Sequence, residues 1–104
     1  MNINDVKRDS SGYTKVYDSN NNQISSGYVG SSNDDFYYSN SIIVVRDNNG
    51  YTKVYDENLK QISSGYTGNS GDNCNVVGDK ITLKDNSGYK KIYDKNLTQI
   101  SSGY

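Results

Sequence analysis

An all-β fold made of three tandem repeats is what this sequence predicts, and two observations predict it. The stretch Asp47–Tyr66 (DNNGYTKVYDENLKQISSGY) recurs as Asp9–Tyr28 and Asp85–Tyr104; each copy matches it at 15 of 20 positions without a gap, and each begins 38 residues after the last. A fixed period of that length marks a repeat architecture in which neighbouring units support one another. Within the unit, aromatic and β-branched residues alternate with polar ones, and no stretch carries the helical period.

Taken in order, Gly50–Asp56 (GYTKVYD) and Gln61–Tyr66 (QISSGY) read as two short strands. Between them Asp56–Lys60 reads as a turn, in which the Asp56 and Asn58 side chains cap backbone amides. Asp47–Gly50 reads as a hairpin loop in which Gly50 supplies the positive φ. Upstream, Ile42–Arg46 and Lys80–Lys84 form a further strand; Ile81 and Leu83 lie on one face, whereas Ile42–Val45 is apolar on both, so the middle unit is expected to be the best buried. Phe36–Tyr38 and Cys74–Val77 supply a fourth strand. The first unit lacks that fourth strand, giving eleven in all. It also places Asp5 and Lys7 where Ile43 and Val45 stand in the second unit, as expected of a polar cap.

The chain of 104 residues has room for a single repeat domain, 1–104, with units at about 1–28, 29–66 and 67–104. Only 32% of residues are apolar, and 11 of them are Tyr, so the core is small. A net charge of −1, with both signs spread along the chain, speaks against nucleic acid. The sequence carries no apolar run long enough for a signal peptide or a membrane span, so no membrane partner is expected and the chain reads as cytoplasmic. One cysteine, Cys74, leaves no intrachain disulfide framework.

Four strands in about 40 residues, with Tyr17-Asp18, Tyr55-Asp56 and Tyr93-Asp94 at the turn between the third and fourth, resemble the blade of a β-propeller. Residues 74–104 are similar to the quinoprotein-type blade, although the Trp of that blade, and of the WD repeat, is absent. The resemblance implies closure by four to eight blades, and three units reach that number by assembling, for example two chains into a six-bladed ring. Two alternatives stand beside it. A β-trefoil closes with three four-stranded repeats, and an open single-layer meander would carry Tyr ladders on both faces.

Candidate contact residues are Phe36, Tyr37 and Tyr38, in the least repetitive segment beside Asp34 and Asp35, and the stripe Tyr51, Lys53 and Tyr55. Tyr and Lys on one strand face suit cation–π contacts or sugar stacking. The plainer use is that Tyr packs against the next unit while Lys reaches water. Asp18–Asn22 matches the opening of a calcium loop but has Gln23 in place of the required Gly, so no metal site is expected. There is no His to activate Ser25, Ser63 or Ser101, and the pairs Asp34-Asp35 and Asp56-Glu57 point apart, so neither catalysis nor a cofactor is expected. The sequence therefore points to a non-catalytic binding or protein-interaction module, completed by self-association. A trefoil lectin-like carbohydrate binder and a purely structural repeat segment are the alternatives.

Overall fold

A computed structural model describes residues 3–30, 34–69 and 71–104. It contains eleven strands and, among the described residues, no helix, so none long and apolar enough to cross a membrane. The strands are β1 (Asp5–Arg8), β2 (Tyr13–Tyr17), β3 (Gln23–Tyr28), β4 (Asp35–Tyr38), β5 (Ile43–Arg46), β6 (Tyr51–Tyr55), β7 (Gln61–Tyr66), β8 (Asn73–Val77), β9 (Lys80–Lys84), β10 (Lys90–Tyr93) and β11 (Gln99–Gly103). They form three antiparallel meanders: a first sheet β1-β2-β3, a second β4-β5-β6-β7 and a third β8-β9-β10-β11.

Local chemistry explains each hairpin. The carboxylate of Asp47 accepts the backbone N–H groups of Asn49 (2.8 Å) and Tyr51 (3.0 Å), and Gly50 takes φ +86°. Asp9 and Asp85 hold the same loop in the other units, while Asp18, Asp56 and Asp94 close the following turn in the same manner. A side-chain oxygen that satisfies two loop amides replaces hydrogen bonds the ladder cannot supply there. Each unit also carries a β-bulge at the same place, between Val16 and Tyr17, Val54 and Tyr55, and Ile92 and Tyr93.

The sheets stack face to face, and two apolar clusters join them. Val6 and Val16 of the first sheet meet Ile43, Val45 and Tyr55 of the second; Val44 and Val54 on the other face of the second meet Ile81, Leu83 and Tyr93 of the third. Both faces of β5 are therefore buried, which accounts for its unbroken apolar run. Between sheets, the main backbone approach is that of β4 to β8, with Cα atoms within 8 Å.

This arrangement corrects two expectations. A trefoil needs strands of different units to close a common barrel, but every ladder here stays within one unit and no closed barrel exists among the described residues. A single-layer meander would leave both faces of every sheet to solvent, whereas the second sheet is covered on both. Alternation along a strand is the same in all three folds, so it could not separate them.

Candidate functional site

The six candidate contact residues are divided between the two junctions. Phe36 and Tyr38 share the face of β4 directed at the first sheet, with ring centroids 6.4 Å apart. The Arg8 guanidinium lies 5.4 Å from the Phe36 ring, and the Tyr38 hydroxyl donates to the Asp5 carboxylate at 3.1 Å. Tyr37 faces the opposite way and packs against the cluster between the second and third sheets, where burial raises its hydroxyl pKa. The three aromatics therefore do not form one patch. Only Tyr38 is well exposed, at 38%.

Tyr51, Lys53 and Tyr55 do share a face of β6, directed at the first sheet. Tyr55 is buried in the junction, which raises its pKa, while Tyr51 packs edge-on against Tyr66 (4.9 Å) and donates its hydroxyl to Ser64 (3.0 Å). The Lys53 ammonium stands 5.9 Å from the Tyr51 ring, so the cation–π geometry of the stripe exists within the chain. The Tyr pair is repeated as Tyr13–Tyr28 and Tyr89–Tyr104, both at 5.0 Å, and the outer rings of all three pairs are more than 70% exposed.

The junctions are built from residues the sequence did not single out. Arg46, 4% exposed, donates from Nη2 to the carbonyls of Thr67 (2.8 Å) and Asn69 (3.1 Å) and from Nε to Thr52 Oγ1 (3.1 Å), tying the end of β5 to the connector that leads to the third sheet. Arg8 does the equivalent in the first unit, donating to the Val29 carbonyl at 2.8 Å. The signal was available: the chain has two arginines and they lie 38 residues apart.

Two further contacts repeat at both junctions. The Ser25 hydroxyl donates to the Glu57 carbonyl (2.6 Å), and Ser63 to that of Lys95 (2.7 Å). Leu59 and Leu97 hold φ of +60° and +61°, a conformation that costs a non-glycine residue about 1–3 kcal/mol. Each packs against the preceding junction's cluster, and burying a leucine offsets a cost of that size. In the first unit the corresponding residue is Asn21, φ +63°, which tolerates the conformation better and is exposed.

Catalytic geometry is not what these groups build. Ser25 and Ser63 are engaged across junctions, and Ser26, Ser64 and Ser102 with Tyr hydroxyls. Asp18, the opening residue of the calcium-like stretch, spends its carboxylate on the N–H groups of Asn20 and Asn22, both at 2.9 Å. Among the described residues no three His, Cys, Asp or Glu side chains converge on a metal position. Cys74 is half-buried against the second sheet, and burial pushes its thiol up to about 11. A cleft of about 390 Å3 opens between the second and third sheets, lined by Ser41, Ile42, Asp56, Ile62, Asp79 and Lys95 among others. Its Asp79 carboxyl is held below the usual range by hydrogen bonding to Lys80, the opposite of what a general acid requires.

The outward faces of the end sheets remain. On the third sheet Lys80, Thr82, Lys84, Lys90, Ile92 and Ile100 correspond to the second-sheet residues Ile42, Val44, Arg46, Thr52, Val54 and Ile62, which are covered by the third sheet. Ile100 is 48% exposed, and Ser101, the counterpart of Ser25 and Ser63, is exposed. On the first sheet the outward face bears Asp5, Lys7, Tyr13, Lys15 and Tyr17, with Lys7 5.4 Å from the Tyr17 ring. No protein-family model matches this sequence, and no curated protein matches it.

Proposed function

We propose that the chain is a non-catalytic interaction module made of propeller-like blades, and that a second copy docks head to tail, third sheet against first sheet. The observation that carries this reading is the repetition at both internal junctions of one contact set, an isoleucine with a seryl hydroxyl donated to a carbonyl. Its third copy, Ile100 with Ser101, lies on an uncovered face. By the 38-residue equivalence, Ser101 meets the carbonyl of Ser19 in a second copy.

The charges on the two end faces support the same pairing. Lys84 and Lys90 stand at the end of the third sheet beside the Asp85 loop, and the matching end of the first sheet carries Asp9. Lys80 stands at the other end, where the first sheet carries Asp5 and Asp18. The internal junctions are apolar and permanent. The junction between copies is more polar, as reversible interfaces are, and weakens with salt. The approach of β4 to β8 converges the stacked sheets on the side of their first strands, the wedge from which a ring is made, so two copies close as six blades.

Light scattering on a sizing column tests this. At low ionic strength the mass rises with concentration from 11.6 kDa to twice that value and stops, and Ile100→Glu holds the chain at 11.6 kDa. A mass fixed at 11.6 kDa at every concentration, or unchanged association in Ile100→Glu, overturns the docking. Growth past two copies overturns closure.

Carbohydrate binding is a second reading, and one observation favours it: the exposed rings of Tyr28, Tyr66 and Tyr104 offer the same apolar surface three times. Glycan-array binding that falls in Tyr66→Ala supports it; an array without signal removes it.

A further inference from the structure

The second and third sheets each have four strands, but the first has three. β5 lies between β4 and β6, and β9 between β8 and β10, while their counterpart β1 pairs, among the described residues, with β2 alone. The edge of β1 is therefore an edge that the fold elsewhere keeps inside a sheet. The other sheet edges, β3, β7 and β11 on one side and β4 and β8 on the other, are edges in every unit that contains them, so they set no expectation of a partner.

The side chains around that position repeat the message. Across the second junction, β4 lies over β8, and Tyr37 packs with Cys74 and Val76, leaving Val76 9% exposed. At the first junction the counterparts of Cys74 and Val76 are Phe36 and Tyr38, and no strand lies over them as β4 lies over β8. Tyr38 is accordingly 38% exposed. One missing strand thus accounts for both an unpaired edge and an uncovered aromatic pair.

We propose that this slot is a binding site for an extended peptide segment added as a fourth, antiparallel strand to β1. This inference is independent of docking between copies, because each copy already uses β4 and β8 within its own sheets. The register of β4 on β5 fixes the pose: Asp35, Phe36, Tyr37 and Tyr38 oppose Arg46, Val45, Val44 and Ile43, so the added strand opposes Arg8, Lys7, Val6 and Asp5 in turn. The residue opposite Val6 points at Phe36 and Tyr38, as Tyr37 points at Cys74. The ligand is thus a short extended segment with an aromatic or aliphatic residue at that position and polar residues on either side. Backbone hydrogen bonds supply affinity, and the single side-chain pocket supplies selection. Asp5 and Lys7 fit this use: charges on the outward face of an open edge discourage indiscriminate pairing without blocking its backbone groups.

The full chain, isotope-labelled, is titrated with a synthetic peptide of the Asp34–Ser39 sequence (DDFYYS). Amide shifts and slowed hydrogen exchange are expected at Asp5–Arg8, with side-chain shifts at Phe36 and Tyr38. The chain variant Tyr38→Ala weakens binding by about fivefold, the size of one cross-strand pair. A peptide with Pro in place of its central Tyr loses about tenfold or more, since it lacks a ladder donor and resists the strand conformation. Saturable binding confined to β1 and to that aromatic pair supports the slot. Shifts centred on Gln99–Gly103 or on the exposed Tyr rings, binding unaffected by the Pro substitution, or no binding at millimolar peptide overturns it.

Discussion

Arg46 Nη2 lies 2.8 Å from the carbonyl oxygen of Thr67, and with this bond a buried guanidinium holds the connector between the second and third sheets against β5. The same side chain reaches Asn69 and Thr52, so its charge is spread over carbonyl and hydroxyl oxygens rather than matched to a carboxylate.

Arg46→Ala is expected to destabilise the fold by about 3 kcal/mol, because buried acceptors lose a charged donor and nothing replaces it. Arg8→Ala costs less, since Arg8 is only half-buried. Urea denaturation monitored by Tyr fluorescence measures both. Equal losses would show that the two connectors are held by something other than these guanidinium contacts.

Just after each of the first two sheets the connector turns at a glycine in the left-handed region, Gly30 at φ +65° and Gly68 at φ +55°. A methyl group at Gly30 would come within 2.8 Å of Val45 Cγ1 and 2.6 Å of an Asp34 carboxylate oxygen, and one at Gly68 would meet Asp72 and Leu83 in the same way. Gly68→Ala should therefore cost more than about 1 kcal/mol, where the same change at an unstrained site would stabilise. Thermal melting of the two variants decides it, and a raised midpoint in either would contradict the turn.

Much of the fold was legible because strand alternation and turn chemistry are local. Eleven strands, the Asp-capped turns, Gly50 at positive φ and the doubly buried β5 can all be read within ten residues of one another. What joins the units was not legible, because it acts across 20 to 40 residues and leaves no period of its own. Arg46 counts in a composition as surface charge, yet it is buried. Leu59 occupies a conformation that leucine disfavours, and only the neighbouring sheet makes this tolerable. Phe36, Tyr37 and Tyr38 are contiguous in sequence and so looked like one patch, but alternation along β4 sends Tyr37 to the opposite junction.

Alkaline pH should weaken the fold through Cys74. Burial raises its thiol pKa from 9.0 to about 11, so the folded state favours the neutral form. Below pH 9 the thiol is neutral in both states and its contribution is complete. Above pH 9 the unfolded thiol ionises first, and stability is lost progressively until about pH 11, where the folded thiol ionises as well. The raised pKa values of Tyr37 and Tyr55 extend the loss beyond pH 10. Urea midpoints between pH 7 and 11 should fall in the parent chain and fall less in Cys74→Ala. Parallel profiles would mean the thiol is not desolvated.

The junction serines allow a comparison that separates internal contacts from the open face. Ser63 donates to the Lys95 carbonyl at 2.7 Å and Ser25 to the Glu57 carbonyl at 2.6 Å, both half-buried, so removing either hydroxyl leaves a carbonyl without its donor. Ser25→Ala and Ser63→Ala should each cost about 1 kcal/mol. Ser101 stands at the equivalent position on the third sheet and is exposed, so in the monomer Ser101→Ala should stay within about 0.5 kcal/mol of the parent. Measured by urea denaturation in dilute, high-salt solution, where copies stay apart, that difference is the signature of a contact made twice and left open once. Under conditions that favour association Ser101→Ala should begin to cost stability. A loss in dilute solution as large as that of Ser63→Ala would mean that the outward face of the third sheet is already covered within a single chain.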